Sequence, residues 1–294
     1  MPVFFAFWAP KRQIPNAEVL LGGRANLWYN EINKKMGGFA FMKIIRAAYQ
    51  EERFYAILEG DVVRPLRGLP YGETECDGRS IPLAQVRLLA PCEPSKIVAV
   101  GLNYLDHIRE MNDPMPEEPV IFLKPPTAVI GPEEAIVAPK RSSRVDFEAE
   151  LAAVIGKTCK NIAPEEADAY ILGYTCLNDV TARDLQPLDG QWTRAKGFDT
   201  FAPIGPWIET EFDPDDAPIE SVLNGETKQK ARTSMMMRGA RELVAFASSV
   251  MTLLPGDVVS LGTPEGVGPM QPGDRIEIRI GGIGTLCNTV TAQK

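Results

Sequence analysis

The chain has 294 residues, of which 45% are hydrophobic and 24% charged, so it can form one large domain and does not resemble a disordered protein. Its formal net charge of −8 argues against nucleic acid and anionic membranes as partners, because like charges repel. An anionic substrate is not excluded, since a bound cation can reverse the field inside a cleft. We therefore expect a globular protein whose partner is a small molecule.

The cysteines and the apolar segments bear on where the protein works. Five cysteines are present, an odd number, and no Cys-x-x-Cys spacing occurs, which favours reduced thiols. No apolar run approaches the ~20 residues of a membrane span, and the first residues do not form a secretory signal. These features predict a cytoplasmic protein that binds no membrane.

The N-terminal part reads as two segments. Residues 1–41 allow two interpretations: an extension without chemistry, or an arm that packs on a partner subunit. The following residues, 42–95, predict a small β module with short strands at 43–50, 53–58 and 62–65.

Residues 96–294 predict a main domain rich in strands. The expected strands are 96–104, 119–124, 146–155, 170–178, 258–261, 275–280 and 284–290. The expected helical segments are 163–169, a turn from 181 to 186, and 241–252. The segment 192–206 is too rich in glycine and proline to predict a regular element. Because no repeated β-α-β pattern occurs, we expect an α+β, mostly β fold rather than a doubly wound sheet.

Acidic residues alternate along one predicted strand. Asp146, Glu148 and Glu150 share a face if this segment is extended. Such a face is often simply solvated, but Ala152 and Val154 continue it with apolar side chains, as in a strand buried on both faces. Buried neighbouring carboxylates repel each other unless a cation compensates them. The pattern fits a solvated face and a metal site equally.

A third carboxylate, Asp179, ends the next apolar strand. Taken alone, it is more simply explained as the cap of the following turn. Taken with Glu148 and Glu150, it would complete a set of oxygen ligands without a nearby Cys or His. Such a set favours Mg²⁺ or Mn²⁺ over Zn²⁺.

The single histidine, His107, precedes Glu110 by three residues, so the two share a face if the segment is helical. A carboxylate beside an imidazole orients it and raises its basicity, as a general base requires. An ordinary surface pair has the same spacing. The polar, proline-rich residues 111–119 that follow are typical of a mobile lid.

Four further residues are candidates for binding an anionic substrate. Arg183 and Gln186 share a face of the turn after the third carboxylate, and Lys196 lies in the glycine-rich and proline-rich segment. Each is also explained as an ordinary surface residue. Thr263 lies in GTPEGVG (262–268), which offers a hydroxyl and backbone N–H groups but lacks both nucleotide-binding glycine patterns. No Gly-x-Ser-x-Gly motif occurs, which speaks against a serine hydrolase.

Six motifs together resemble the fumarylacetoacetate hydrolase family. In chain order they are GLNYLDH, FLKPPTAVIGP, VDFEAELAAVIGK, GYTCLNDVTARDLQ, KGFDTFAPIGP and GTPEGVG. The resemblance covers most of residues 96–294 and none of residues 1–41. It implies a mixed β-roll core, often with a small N-terminal domain, in a protein that is usually a homodimer.

The resemblance also implies roles for the candidate residues. The implied metal ligands are Glu148, Glu150 and Asp179. The implied water-activating pair is His107 with Glu110. The residues implied to hold the substrate or its developing charge are Arg183, Gln186, Lys196 and Thr263.

The family leaves the reaction open, because its members hydrolyse acylpyruvates or fumarylacetoacetate, decarboxylate oxaloacetate, or isomerise and decarboxylate diacids of aromatic catabolism. We expect Mg²⁺-dependent (or Mn²⁺-dependent) hydrolysis of a C–C bond in a 3-acylpyruvate-like 2,4-dioxo acid. One alternative is decarboxylation or isomerisation of a 2-oxo diacid. Another is a protein that binds a 2-oxo acid without turning it over, against which the complete metal set and His–Glu pair speak.

Overall fold

The computed structural model describes residues 42–72 and 74–294, so both interpretations of residues 1–41 lie outside the described part. Within it, strands dominate, as expected for an α+β, mostly β fold. The strands are β1 Lys43–Tyr49, β2 Glu52–Glu59, β3 Val62–Pro65, β4 Ile81–Pro82, β5 Arg87–Leu89, β6 Ile97–Gly101, β7 Val120–Lys124, β8 Val129–Ile130, β9 Ala135–Ala138, β10 Val145–Phe147, β11 Ala149–Ile155, β12 Ile171–Asn178, β13 Thr181–Ala182, β14 Ala202–Glu209, β15 Pro218–Leu223, β16 Glu226–Arg232, β17 Val258–Ser260, β18 Gly268–Met270, β19 Arg275–Ile280 and β20 Gly284–Ala292.

In the described residues the helices are fewer than the strands. The α-helices of the described chain are α1 Leu105–Met111, α2 Thr193–Lys196 and α3 Ala240–Val250. The 3-10 helices are Leu83–Gln85, Pro126–Ala128, Pro164–Ala169, Gln186–Leu188 and Thr233–Met235. No helix in residues 42–72 and 74–294 is long and apolar enough to cross a membrane.

Three sheets organise the strands. The largest has 12 strands in the order β4-β3-β2-β1-β14-β12-β11-β17-β6-β7, with β5 beside β1 and β8 beside β14. A second sheet has the order β16-β15-β19-β20-β9, and a third has the order β13-β10-β18. Strand β1 joins β14 through the pair Ile44 and Ile208, so the strands of residues 42–95 extend the sheet of the main domain.

The strands that carry the acidic residues lie at the centre of the largest sheet. All residues of β11 and β12 are buried. Leu151 and Ala153 pack into one apolar cluster, whereas Ala152 and Val154 pack into another. Strand β11 is therefore covered on both faces, as its apolar continuation predicts.

Three local expectations are wrong. The segment 146–155 forms two strands that are interrupted at Glu148. The Glu148 N–H donates to the side chain of Asn178 at 2.9 Å, instead of to a backbone carbonyl of a neighbouring strand. The expected helical turn at 181–186 begins as a strand instead, since Thr181 pairs with Asp146. The segment 192–206, expected to be irregular, contains α2 and the first residues of β14. Pairing of β14 with β12 and β8 outweighs the glycine and proline content of the segment.

Candidate active site

Three carboxylates converge where the two central strands end. Glu148 occupies the break before β11, Glu150 lies on β11, and Asp179 directly follows β12. Antiparallel pairing of these strands aligns Glu150 with Leu177 and so brings Asp179 beside the glutamates. Carboxylate oxygens of the three residues all lie within 4.8 Å of one another, and each residue is buried.

Two cations from outside these strands contact the carboxylates. The Lys196 ammonium donates to Glu148 Oε2 and to Asp179 Oδ2, in both cases at 2.7 Å. The Arg183 guanidinium donates from Nη2 to Glu148 Oε1 at 2.5 Å. The structure thus places both residues, one on α2 and one after β13, beside the acidic cluster.

The pKa values of Glu148 and Glu150 shift in opposite directions. Burial works to raise the pKa of Glu148, but Lys196 and Arg183 outweigh it and hold that pKa below its ordinary value. Burial, followed by repulsion from Asp179 and Glu148, raises the pKa of Glu150 well above its ordinary value. Glu148 is thus bonded directly by two cations, whereas the donors to Glu150 named below are a hydroxyl and a backbone N–H.

The cluster fits a hard divalent cation. Ser260 Oγ and, at 3.0 Å, the N–H of Gly262 both donate to Oε2 of Glu150, which leaves its other oxygen for a ligand. The ligand set consists of carboxylate oxygens, which suits Mg²⁺ or Mn²⁺ and not a thiolate-bound or imidazole-bound metal. A cation of charge +2 would also remove the repulsion on Glu150.

Lys124 is a further buried cation that the sequence does not reveal. Its ammonium donates to Asp179 Oδ1 at 2.5 Å and to the carbonyl of Val180 at 3.2 Å. Burial lowers the pKa of Lys124, although Asp179 opposes that effect. Asp179 is thus bonded by a lysine at each of its oxygens. Lys124 ends a predicted strand, and nothing in that pattern distinguishes it from a surface lysine.

Asp146, the first residue of the alternating acidic series, has a different environment. It is buried, and it accepts hydrogen bonds from Arg144 and, at 2.9 Å, from Arg183 Nε. Arg183 also donates to Gln186 Oε1 at 2.7 Å. Asp146 therefore holds Arg183 in place beside Glu148 and is not part of the converging triad.

His107 and Glu110 form a hydrogen-bonded pair on α1. His107 Nδ1 lies 2.9 Å from Glu110 Oε2, and His107 is only 6% exposed. The other Glu110 oxygen accepts the N–H of Gly266 at 3.0 Å. The pair is therefore fixed between α1 and the loop 262–268, and an ordinary surface pair does not describe it.

Thr263 is held by a buried glutamine on β16. The side-chain amide of Gln229 donates to Thr263 Oγ1 at 2.8 Å and to the carbonyl of Pro264 at 2.7 Å. The Gln229 carbonyl accepts the N–H of Ala149 at 2.9 Å. This residue connects β11 to the loop, and sequence reasoning missed it because the β15–β16 hairpin was not predicted.

One pocket joins these groups. Eight of the nine candidate residues line it, and the ninth, Glu110, lies behind His107. The sequence predictions therefore identify residues that the fold brings together from six separate segments.

Comparison with protein families gives two matches. The family described as Fumarylacetoacetate (FAA) hydrolase C-terminal matches residues 96–291. The family described as Rv2993c-like, N-terminal matches residues 42–91.

Curated relatives span most of the chain. Protein Rv2993c of Mycobacterium tuberculosis is 51% identical over 259 residues, which is 85% of this chain and 98% of that protein. The mitochondrial oxaloacetate tautomerase Fahd2a of Rattus norvegicus is 40% identical over 222 residues, 71% of each chain.

Solved structures are similar over the same region. A 2-hydroxyhepta-2,4-diene-1,7-dioate isomerase from Mycobacterium marinum is 48% identical with a TM-score of 0.81, covering 86% of this chain and 99% of that one. A maleylpyruvate hydrolase from Sphingobium sp. SYK-6, solved with manganese(II) and pyruvate, is 32% identical with a TM-score of 0.72, covering 86% of this chain and all of that one.

Proposed function

The chain belongs to the fumarylacetoacetate hydrolase family and is an enzyme, either a hydrolase or a lyase or isomerase of that family. From this premise we propose that it hydrolyses a C–C bond of a 3-acylpyruvate-like 2,4-dioxo acid with the help of Mg²⁺ or Mn²⁺. The observation that carries the proposal is a single pocket that holds both a cation-binding triad and an oriented histidine. A metal alone suffices for enolate chemistry, but hydrolysis also requires a base for water.

Glu148, Glu150 and Asp179 would hold the cation. Their oxygens converge, all three residues are buried, and one oxygen of Glu150 has no protein donor among the contacts described above. When bound, the cation supplies chelation of the 2-oxo acid end and electrostatic stabilisation of an enolate. The manganese and pyruvate in the solved maleylpyruvate hydrolase support this choice of ligand chemistry.

Lys196 and Arg183 would balance the remaining charge. The negative charge of three carboxylates exceeds the positive charge of one divalent cation, so an anionic substrate needs further positively charged partners. Lys196 is buried beside Glu148 and Asp179, where it can also donate to oxygen atoms that gain negative charge. Arg183, which is held in place by hydrogen bonds to Asp146 and Gln186, can bind the substrate carboxylate.

His107 would act as the base. Glu110 occupies its Nδ1, so Nε2 is the nitrogen that takes a proton from water. The activated water attacks the distal carbonyl of the substrate, the C–C bond next to that carbonyl breaks, and the acyl group leaves as an acid. Pyruvate leaves as its enolate and then takes up a proton.

Tautomerisation or isomerisation of a 2-oxo acid is the second candidate. It is supported by the similarity to the oxaloacetate tautomerase of Rattus norvegicus and to the isomerase of Mycobacterium marinum. Such reactions, like decarboxylation of a 2-oxo diacid, move protons or carbon dioxide without attack by water. The oriented His107–Glu110 pair supports hydrolysis over decarboxylation and over binding without turnover, and it could equally serve as the base of a tautomerisation.

Replacing His107 tests the choice between them. We expect the rate of acylpyruvate hydrolysis to fall by about 10²-fold to 10⁴-fold in His107→Ala and in the double variant that adds Glu110→Ala. The same variants should keep more of any oxaloacetate decarboxylation, because loss of carbon dioxide needs neither an attacking water nor a base to activate it. Arg109→Ala is the matched control, since Arg109 is an exposed residue of α1 paired with Asp106. Hydrolysis by His107→Ala at the wild-type rate, at equal metal loading, would remove His107 from the mechanism.

We also propose the organisation expected for the family. A division into 42–95 and 96–294 is supported by the two family matches. A homodimer is supported by the family resemblance. A cytoplasmic location is supported by the five free cysteines. Native mass spectrometry of the full chain tests the dimer directly.

A further inference from the structure

Four of the residues that line the active-site pocket, Leu102, Met111, Phe122 and Trp192, are apolar or aromatic, and we call them the outer wall. We propose that the outer wall receives the acyl group of the substrate and selects acyl groups without charge over those that end in a carboxylate. The proposal deepens the proposed function, because it assumes that the 2-oxo acid end of the substrate lies at the acidic triad.

The aromatic part of the outer wall begins at the charged end of the pocket and leads away from it. The Lys196 ammonium lies 5.2 Å from the centre of the Phe122 ring. The Phe122 and Trp192 rings meet edge to face with centres 5.2 Å apart. On this proposal, a substrate with its head group beside Lys196 would extend along Phe122 towards Trp192.

Helix α1 contributes Met111 to the outer wall. Met111 follows His107 by four residues, which places it about 6 Å further along the helix axis on the same face. If His107 activates the water that attacks the distal carbonyl, then Met111 is adjacent to whatever that carbonyl carries. The atoms beyond the reacting carbonyl are those of the acyl group.

The backbone of β6 is adapted to the Trp192 indole. A Cβ atom on Gly101 would lie 2.3 Å from the indole ring, so only glycine permits this close approach. The next residue, Leu102, has a φ of 57°, a conformation that is unusual for a leucine and is found mostly at functional positions. Gly101, Leu102 and Trp192 all line the active-site pocket.

Charge in the pocket is distributed unequally. Among the described lining residues, Arg183 and Lys196 are bonded to the acidic cluster, and His107 is bonded to Glu110. Apart from the acidic triad, the remaining charged lining residue is Asp113, which is exposed and lies two residues after the end of α1. A carboxylate on the acyl group would lose hydration against aromatic rings and would be repelled by Asp113, whereas an alkyl group gains from burial.

Binding without turnover tests this selection. Two probes share the 2-oxo acid head and the chain length: 2-oxopentanoate ends in a methyl group, and 2-oxoglutarate ends in a carboxylate. By calorimetry on the full-length Mg²⁺-loaded protein, we expect 2-oxopentanoate to bind about tenfold more tightly or better. Equal binding, or tighter binding of 2-oxoglutarate, would overturn the proposal.

Substitutions locate the source of the selection. We expect Asp113→Lys to shift the affinity ratio by about tenfold or more towards 2-oxoglutarate, and Asp113→Asn to shift it by a smaller factor. Glu118→Gln is the control, since Glu118 is exposed in the same segment and does not line the pocket. A ratio that is unchanged in Asp113→Lys, or that changes equally in Glu118→Gln, would overturn the proposal.

Hydrolysis assays separate this inference from the proposed function. The substrates are acetylpyruvate and a 3-acylpyruvate whose acyl group ends in a carboxylate, compared by kcat/KM. A higher value for acetylpyruvate supports both ideas, and equal values overturn the selection while the hydrolytic function stands. If neither substrate is hydrolysed while 2-oxopentanoate still binds more tightly, the proposed reaction fails and the selection at the outer wall stands.

Discussion

Lys196 is the residue on which the charge balance of the site depends most directly. Its ammonium bonds to Glu148 and Asp179, whose attraction outweighs the effect of burial and raises the pKa of Lys196. The lysine therefore remains charged over the working pH range. A group that is fixed and charged before the substrate arrives costs no reorganisation when negative charge develops.

We expect Lys196→Met to lower turnover of an acylpyruvate by about 10²-fold or more, because the enolate loses a buried donor. Steady-state kinetics at saturating Mg²⁺ measure this. Lys160→Met is the control, since Lys160 is exposed and donates to the carbonyl of Ser249 on the surface. Turnover by Lys196→Met equal to that of the control would exclude Lys196 from the mechanism.

Lys124 is expected to act on stability more than on chemistry. Lys124→Met leaves Asp179 with one lysine in a buried site, so we expect the free energy of unfolding to fall by about 3 kcal/mol. Mg²⁺ should recover part of this loss, because it supplies positive charge to the same carboxylate. Urea unfolding with and without Mg²⁺ measures both effects, and an unchanged midpoint in Lys124→Met would contradict this account of Asp179.

The two lysines show what a sequence can reveal at this scale. Alternation of Glu148 and Glu150 beside apolar residues is a local pattern, so convergence with Asp179 could be anticipated. The contact of Lys124 with Asp179 spans 55 positions in the chain, and it depends on which strands become neighbours. Nothing within a few residues of Lys124 encodes that neighbour, nor the role of Asp146 in holding Arg183.

Strand endings position the site, and the sequence predicts them unequally well. The end of β12 before Asp179 was anticipated because an apolar run stops there. The break at Glu148 was not, because it arises from a hydrogen bond to Asn178 on the neighbouring strand. In the same way β14 is stabilised by its partners, β12 and β8, and not by its own composition.

Strand β6 ends at Gly101, whose lack of a side chain admits the Trp192 indole. We expect Gly101→Ala to displace the indole and to lower kcat/KM for an acylpyruvate by about tenfold or more, with Mg²⁺ affinity unchanged. Gly68→Ala is the matched control, because a Cβ at Gly68 meets open space. Kinetics and metal titration of both variants test this, and wild-type kcat/KM in Gly101→Ala would show that the indole position is unimportant.

Across the whole molecule, residues 42–95 and 96–294 share one sheet. Strand β1 pairs with β14, and buried Asp257 accepts hydrogen bonds from the backbone N–H and the hydroxyl of Ser95, at 3.0 and 2.6 Å. The sequence indicated two modules from their composition, but it could not show that their strands are continuous. We expect one cooperative unfolding transition by calorimetry, whereas two separate transitions would show that the shared sheet does not couple the parts.

We propose that the acidic triad binds a divalent cation and that hydrolysis of an acylpyruvate requires this cation. The direct measurement is turnover of acetylpyruvate by the wild-type protein with Mg²⁺ and with an excess of chelator, beside Glu148→Gln and the exposed control Glu118→Gln. We expect turnover only with Mg²⁺, in the wild type and the control, and a loss of about 10²-fold or more in Glu148→Gln at saturating Mg²⁺. Turnover that persists at the same rate in chelator, or in Glu148→Gln, would contradict the account.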